Sequence, residues 1–216
     1  MDLRTVVFDM DGLMIDSERI SFRLFKRKTE EMGLSCDLAF YTRLLGVNEQ
    51  HGIFLLAEHY GQDFAAKAVL DQIHKELDEI LLHSGVPLKE GLLPLLAQLK
   101  KQGILCVVAS SSTRRRVLAI LEKANITEYF TAVVCGDEMA RSKPAPDIFL
   151  KALEKMETLP QEALVLEDSE AGIQAAFTAG IPVICVPDMK VPAPEYAAKT
   201  LAVLPSLNAV TAWLQK

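Results

Sequence analysis

Asp9 and Asp11 are the residues whose types and spacing most directly suggest chemistry in this sequence. They follow an apolar run at positions 5–8 that predicts a buried β-strand. Side chains two positions apart on a strand face the same way, so the two carboxylates should lie side by side. Adjacent carboxylates repel each other and normally require a bound cation or a split in their pKa values. A simple turn at Asp11 and Gly12 is the alternative that this motif alone leaves open.

Hydroxyl groups follow a second apolar run, at positions 105–109. Ser110, Ser111 and Ser112 come directly after it and precede a predicted helix. A hydroxyl and free backbone amides at such a place can bind an anion. A serine that only caps the helix is the alternative. Both can hold, with Ser110 binding a ligand and Ser112 capping the helix that starts at Thr113.

A lysine and a second pair of acids follow two later strands. Lys143 precedes Pro144 and Pro146 just before a helix, in a segment that the two prolines make rigid. Glu167 and Asp168 end the apolar run 164–166, and an aspartate that only caps the next helix is the weaker alternative. Hard oxygen ligands without histidine or cysteine favour Mg2+ over zinc, and with a lysine and a serine they suit a phosphate ester.

The elements that must position these groups alternate between strand and helix. Apolar runs predict strands at 5–8, 105–109, 132–135, 163–166 and 182–186. Helical patterns are predicted at 92–102, 113–124, 146–156 and 171–179, and Gly103, Asn125 and Gly180 suit helix C-caps. This alternation predicts an α/β fold, a Rossmann-like parallel sheet with helices on both faces. The carboxyl ends of the strands then bring the polar groups to one edge.

Residues 17–84 break the alternation. They show no strand pattern, only helical periodicity interrupted at Gly33, Gly46 and Gly61. Glycine and proline in the flanking stretches, 12–16 and 85–91, suit two linkers that meet at one edge of the core. We therefore expect an α/β core formed by residues 1–16 and 85–216, and an inserted all-helical cap formed by residues 17–84.

Composition and charge narrow the classes of function. Half of the 216 residues are hydrophobic and 24% are charged, as in ordinary globular proteins. The formal net charge of -6 disfavours a nucleic-acid or anionic membrane partner, because both require a basic surface. No stretch approaches the ~20 apolar residues of a membrane span. The compact basic run Arg114, Arg115 and Arg116 is interpreted as a solvated helix face.

The four cysteines indicate a reducing compartment. Cys106, Cys135 and Cys185 lie in predicted buried strands, and together with Cys36 they show no metal-binding spacing. We expect four free thiols and a cytoplasmic protein. The first residues lead directly into a strand and show no signal-peptide pattern.

Four ordered segments resemble the motifs of the haloacid dehalogenase-like phosphohydrolases. They are Phe8-Asp9-Met10-Asp11-Gly12, Ala109-Ser110-Ser111-Ser112, Ser142-Lys143-Pro144-Ala145-Pro146-Asp147 and Leu166-Glu167-Asp168-Ser169. Their order and spacing agree over most of the chain, and the helical insertion is similar to the small cap of that family. The resemblance implies a Mg2+-dependent phosphatase that hydrolyses a small phosphorylated metabolite, with sugar phosphates as the leading class, through an aspartyl-phosphate.

The resemblance also implies a role for each acid. Asp9 is expected to be the nucleophile, and Asp11 the general acid and base, with a pKa raised by its neighbour Asp9. Mg2+ is expected to be bound by Asp9, the backbone carbonyl of Asp11 and Asp168. Glu167 is expected to be a further or water-mediated ligand.

Phosphate and substrate contacts follow from the same resemblance. Ser110, Ser111 and Lys143 are expected to bind the phosphoryl oxygens. One segment of the predicted cap is similar to the loop that reaches the active site in this family. A plain turn between two helices is the alternative. The segment consists of Gly46, Val47, Asn48 and Glu49.

Two other functions remain open at the level of sequence. The motif sequences around Lys143 and Glu167 are similar to those of the β-phosphoglucomutase-like branch of the family, so a phosphosugar mutase is one alternative. The mutases carry a lysine, an arginine and a histidine at positions that here hold Leu45, Glu49 and Ser21, and this difference favours hydrolysis. A phosphoreceiver-like regulator or another non-enzymatic phosphate-binding protein is the alternative from a different class.

Overall fold

A computed structural model describes residues 2–47 and 49–215 of the chain. The strands are β1 (Thr5–Phe8), β2 (Leu105–Ser110), β3 (Ala132–Cys135), β4 (Ala163–Glu167), β5 (Val183–Cys185) and β6 (Ala202–Val203). The α-helices are α1 (Ser17–Glu31), α2 (Leu38–Tyr41), α3 (Glu49–Tyr60), α4 (Ala66–Ser84), α5 (Leu92–Lys101), α6 (Arg114–Lys123), α7 (Asp147–Met156), α8 (Glu170–Thr178), α9 (Pro194–Ala197) and α10 (Leu207–Trp213).

The strands form one sheet in which every neighbouring pair is parallel. Its order is β3-β2-β1-β4-β5-β6, so β1 lies inside the sheet between β2 and β4. All of β1 is buried, as expected for a strand with helices on both faces. Phe8 pairs in register with Val108 and Leu166. The polar residues that follow these three positions therefore reach the same edge.

The predicted α/β fold is confirmed, with small differences at the ends of elements. The five predicted strands are present, whereas β6 was not predicted, because two residues are too short to show a periodicity. Gly103, Asn125 and Gly180 follow helix ends with positive φ angles of 71°, 55° and 69°, as their prediction as C-caps requires. The four cysteines are free and buried, as predicted.

Neither of the two capping alternatives considered for the serines and acids at the strand ends is found. Thr113, not Ser112, caps α6, because its side chain accepts a hydrogen bond from the Arg116 amide. Ser169, not Asp168, caps α8, because its side chain accepts from the Gly172 amide. Runs of adjacent polar residues offer several capping candidates, and only the backbone geometry selects one.

The segment between β1 and α5 is helical from Ser17 to Ser84, as predicted. Its described residues form α1 to α4 and contain no strand. α1 packs against α4, and apolar side chains at three- and four-residue spacing are buried on α4, as an amphipathic helix requires. α1 begins at Ser17 and α4 ends at Ser84. The division of the chain into a core and a separate cap domain at these positions stays a prediction.

No helix within residues 2–47 and 49–215 has the length and apolar character needed to cross a membrane.

Candidate active site

A buried charge cluster lies at the carboxyl ends of the two central strands. Asp9 follows β1, and its amide donates to the Leu166 carbonyl, which holds it beside the end of β4. The Lys143 ammonium lies 2.5 Å from Asp9 Oδ1 and 2.5 Å from Glu167 Oε1. Lys143 is 7% exposed and Glu167 is fully buried, so solvent screens this cluster little. The structure therefore brings Lys143 into contact with two residues that are 134 and 24 positions away in sequence.

Burial and the charges within this cluster shift the pKa values of its members. Burial raises the pKa of Asp9 to about 7, against the lowering effect of Lys143. Burial lowers the pKa of Lys143, but the two carboxylates outweigh it, so the net pKa is raised and the ammonium stays charged. Lys143 also donates to the Ala109 carbonyl at 3.2 Å. A fixed cation thus faces the carboxylate that is expected to attack phosphorus.

Glu167 is held from behind rather than left free for a ligand. Its Oε2 accepts from the amides of Asp168 and Ser169 at 3.0 and 2.9 Å and from the Ser169 hydroxyl at 2.9 Å. Its other oxygen contacts Lys143. Both oxygens are therefore occupied by protein donors, so Glu167 fits a supporting role better than that of a direct metal ligand.

Asp168 has the opposite environment. Within the described residues, no hydrogen-bond donor contacts its carboxylate. Burial and then the negative charges of Glu167 and Asp9 raise its pKa well above the usual range. An added Cβ at Gly12 would lie 2.2 Å from Asp168 Oδ2, so only glycine leaves room for this carboxylate. Asp168, which has no donor, and Asp9, whose Oδ1 contacts Lys143, together suit a hard divalent cation.

Asp11 differs from the expectation for its pKa. Burial raises the pKa of this carboxyl, but the Arg116 guanidinium outweighs burial and lowers it below the usual range. Arg116 donates to Asp11 Oδ2 at 2.7 Å and to Oδ1 at 2.9 Å. The Ser112 hydroxyl donates to Oδ2 at 3.0 Å. The expected upward shift caused by Asp9 is therefore wrong, because a nearer cation dominates.

The interpretation of the basic run of α6 as a solvated face holds for Arg114 and Arg115, which are exposed, and is wrong for Arg116. Arg116 is buried against Asp11, with a side chain that is 16% exposed. Arg114 pairs with Glu138 and donates to the Val133 carbonyl at the surface of the core. Arg115 is exposed and fits the original interpretation. Helical periodicity places residues on a face but does not show how far an arginine side chain extends across a cleft.

The serines after β2 take different positions. Ser110 is buried, and its hydroxyl accepts from the Ser112 amide at 3.1 Å. Ser111 is exposed. Both line the cleft above the strand ends together with Asp9 and Lys143. Because the Ser110 hydroxyl accepts the bond from Ser112, its own proton is not used in it.

The cap helices form the opposite wall of this cleft, whose volume is about 920 Å³. Gly46 and Val47 line it, and an added Cβ at Gly46 would lie 3.0 Å from the Ser169 Cβ, so this segment approaches the end of β4. Glu49 also lines the cleft, but it begins α3 and pairs with Lys67 at 2.8 Å. The prediction for Asn48 lies outside the described residues.

Sequence reasoning missed four further acids in the cleft, Glu18, Asp78, Glu170 and Asp188, of which two have unusual environments. Glu18 is in the first turn of α1, and burial raises its pKa to about 7, with Asp11 and Asp188 adding to the shift. Asp188 follows β5, and its Oδ1 accepts from Lys89 at 2.6 Å and from Arg19. The signal for Asp188 was the one used for the other site residues, namely a polar side chain just after a buried strand.

The chain matches the model of the family described as haloacid dehalogenase-like hydrolase over residues 6–186. It belongs to this family. A phosphorylated carbohydrates phosphatase of Thermotoga maritima is 31% identical over 181 residues, which cover 83% of this chain and 82% of that protein. The β-phosphoglucomutase of Bacillus subtilis is 30% identical over 185 residues, covering 83% and 81%.

Solved structures agree with this assignment. The CbbY protein of Rhodobacter sphaeroides in complex with phosphate superposes with a TM-score of 0.76 at 26% identity, covering 96% of both chains. A haloacid dehalogenase-like protein of Agrobacterium tumefaciens gives a TM-score of 0.82 at 27% identity, covering 99% of this chain and all of the other. The prediction of a phosphatase-type hydrolase of this family is confirmed.

Proposed function

We propose that this enzyme hydrolyses a small phosphate monoester, with a sugar monophosphate as the leading class, by a Mg2+-dependent route through a phosphorylated Asp9. The observation that carries the proposal is the buried contact of Lys143 with both Asp9 and Glu167 at adjacent strand ends. Burying three charges costs desolvation free energy even when they are paired, so their presence here indicates a functional requirement. An attacking carboxylate with a fixed cation beside it meets such a requirement.

Asp9 attacks phosphorus, and the bond between phosphorus and the leaving oxygen breaks. Lys143 donates to the phosphoryl oxygens that approach Asp9, together with the Ser110 hydroxyl and the Ser111 amide. These donors are fixed before the substrate arrives, so they stabilise the developing charge without reorganisation. Water then attacks phosphorus, which releases phosphate and restores the Asp9 carboxylate.

Asp11 moves the proton in both steps. Its protonated form gives a proton to the leaving oxygen, and the resulting carboxylate takes one from the attacking water, a contribution typically worth ~10²- to 10⁴-fold. Because Arg116 lowers the pKa of this carboxyl, the protonated form is the minor one in the free enzyme. In the structure Oδ2 of Asp11 accepts from both Arg116 and Ser112, whereas Oδ1 accepts from Arg116. Since each carboxylate oxygen has two acceptor sites, Oδ1 is the atom with capacity for the transferred proton.

The residues present fit a magnesium ion. Asp9 and Asp168 would hold it with their carboxylates, and Asp11 with its backbone carbonyl, while Glu167 supports the site through Lys143 and the Asp168 amide. When bound, the ion reduces the repulsion between the Asp9 carboxylate and the negatively charged phosphate. Asp168, rather than Glu167, is the expected direct ligand of this pair.

The charge of the cleft supports an uncharged leaving group. Its lining contains eight acids and three cations: Asp9, Asp11, Glu18, Glu49, Asp78, Asp168, Glu170, Asp188, Arg116, Lys143 and Lys190. Each of the three cations is already paired with a carboxylate. A second phosphate on the substrate would meet repulsion from the cap side, whereas sugar hydroxyls can donate to these carboxylates.

This balance of charge also favours hydrolysis over a mutase reaction that passes through a bisphosphate. Leu45, Glu49 and Ser21, which stand where the mutases carry two cations and an imidazole, all line the cleft. The described cap residues at these positions thus offer no cation for a second phosphate.

A paired assay tests the proposal. Phosphate release with Mg2+ would be measured across sugar monophosphates, nucleotides and phosphorylated acids, beside formation of glucose 6-phosphate from β-glucose 1-phosphate. We expect phosphate release to be fastest with a sugar monophosphate and to exceed isomerisation. Isomerisation well above phosphate release would contradict the assignment, as would a lack of turnover with every ester.

A further inference from the structure

Arg116 joins Asp11 to a helix of the cap. Its two terminal nitrogens donate to the two oxygens of Asp11, and its Nε donates to Asp78 Oδ1 at 2.6 Å. Asp78 lies on α4, whereas Arg116 lies on α6 of the core. Nη1 also donates to the Ser112 hydroxyl at 2.6 Å, and that hydroxyl in turn donates to Asp11. All three guanidinium nitrogens are therefore engaged.

This arrangement belongs to one arginine of the run and not to its neighbours. Arg115, the preceding residue, is exposed, and no hydrogen bond or ion pair of its side chain occurs within the described chain. Arg114 contacts Glu138 on the far side of the helix. The cleft contact of Arg116 is therefore not a general property of a basic helix start, and Arg115 provides a matched control.

The geometry restricts the orientation of Asp11. A bidentate arginine pair fixes the plane of a carboxylate as well as its distance, which a single ammonium cannot do. The side chains of Arg116 and Asp11 are 16% and 25% exposed, so solvent competes little for these bonds. Asp78, with a side chain 38% exposed, fixes the third nitrogen from the cap side.

We propose that Arg116 is a positioning residue for Asp11 and that Asp78 of the cap holds Arg116 in place. This inference rests on the proposed role of Asp11 in proton transfer. The chain of contacts from Asp78 through Arg116 fixes the plane of the Asp11 carboxylate, so that Asp11 meets the leaving oxygen in one orientation. Its contribution is then largest for esters whose leaving group requires a proton, and small for esters whose leaving group departs as a stable anion.

Two aryl esters of nearly the same shape separate these cases. Phenyl phosphate requires protonation of its leaving oxygen far more than p-nitrophenyl phosphate does, and kcat/KM reports only steps up to the first irreversible one. For Arg116→Met we expect kcat/KM for phenyl phosphate to fall at least about tenfold and that for p-nitrophenyl phosphate to fall less than about threefold. The Arg116→Lys variant should lie between Arg116→Met and wild type, and Arg115→Met should match wild type.

Asp78→Asn should reduce kcat/KM for phenyl phosphate less than Arg116→Met does, and it should have no further effect when combined with Arg116→Met. Thermal melting checks that each variant is folded. If Arg116→Met does not fold, Arg116→Lys and Asp78→Asn provide the same comparison of esters.

Equal losses for both esters, or no loss for either, would overturn the positioning role. Additive effects of Asp78→Asn and Arg116→Met would overturn the role of the cap residue. These outcomes differ from failure of the proposed function, in which wild-type enzyme with Mg2+ would hydrolyse neither ester, or Asp9→Asn would remain active.

Discussion

The strand ends and the cap wall of the same cleft differ in how their polar groups are held. At the strand ends, Asp9, Lys143 and Glu167 are buried and contact one another at hydrogen-bond distance. On the cap, Glu49 is paired with Lys67 at the surface, where both side chains are more than half exposed. Exposed pairs of this kind contribute little free energy. The comparison indicates that the strand ends fix the reaction, whereas Glu49 and its surroundings on the cap adjust which ester is accepted.

The largest effect should come from the nucleophile. Asp9→Asn keeps the side-chain volume but removes the attacking oxygen and one carboxylate from the cluster. We expect kcat for any ester to fall by at least about 10³-fold with little change in fold. Steady-state assays and circular dichroism measure the two quantities. If Asp9→Asn retained more than a few per cent of wild-type activity, the strand ends would not be the part of the molecule that carries out the reaction.

The two acids that follow the β4 apolar run should separate into a ligand and a support. We expect Asp168→Asn to raise the Mg2+ concentration for half-maximal rate by at least about 100-fold, and Glu167→Gln by about tenfold. Glu167→Gln should cause the larger drop in melting temperature, because it disturbs the buried contact with Lys143. Equal shifts in the Mg2+ dependence would show that the assigned roles are wrong.

Glu18 lies at the boundary between the two regions and should make the free energy of unfolding depend on pH. Burial raises its pKa from 4.5 to about 7. The folded state then binds the proton more tightly than the unfolded chain, so the free energy of unfolding should fall as pH rises through this interval. With a metal chelator present, the melting temperature of Glu18→Gln should drop less between about pH 5 and about pH 8 than that of the wild-type protein.

Glu31, an exposed acid on the same helix, is the control for this measurement. Glu31→Gln should keep the wild-type difference in melting temperature between the two pH values. An unchanged difference in Glu18→Gln would mean that burial does not shift this group.

The smallest effect on the reaction itself should come from the cap wall. We expect Glu49→Gln to change kcat/KM for p-nitrophenyl phosphate by less than about twofold and to alter the ranking among sugar phosphates, phosphorylated acids and nucleotides. Glu58→Gln is the matched control, since Glu58 is an exposed, paired acid on the same helix. A large loss with p-nitrophenyl phosphate would show that the cap takes part in the reaction.

The sequence allowed the strand-end site to be predicted because register follows from buried strands. Asp9, Ser110 and Glu167 each lie at the end of an apolar run, and parallel pairing alone brings such residues to one edge. The pattern also located Lys143, through the prolines that follow it. These inferences required no knowledge of how the helices pack.

The contacts across the cleft could not be predicted in the same way. Arg116 meets Asp11 and Asp78 only because α4 and α6 approach each other, and no periodicity in either helix specifies that approach. The pKa of Asp11 was misjudged for this reason, since the repulsion by Asp9 was visible in the sequence and the attraction by Arg116 was not. β6 was missed because two residues show no pattern.

The central claim, transfer of the phosphoryl group to Asp9, is tested most directly in the Asp11→Asn variant with p-nitrophenyl phosphate. This ester needs no proton on its leaving group, so Asp9 should still be phosphorylated, whereas the amide at position 11 cannot activate water. We predict a rapid release of about one p-nitrophenolate per enzyme, followed by slow turnover. Mass spectrometry after acid quenching should find the phosphoryl group on the peptide that contains Asp9. A phosphoryl group on another residue, or steady turnover at the wild-type rate, would contradict the account.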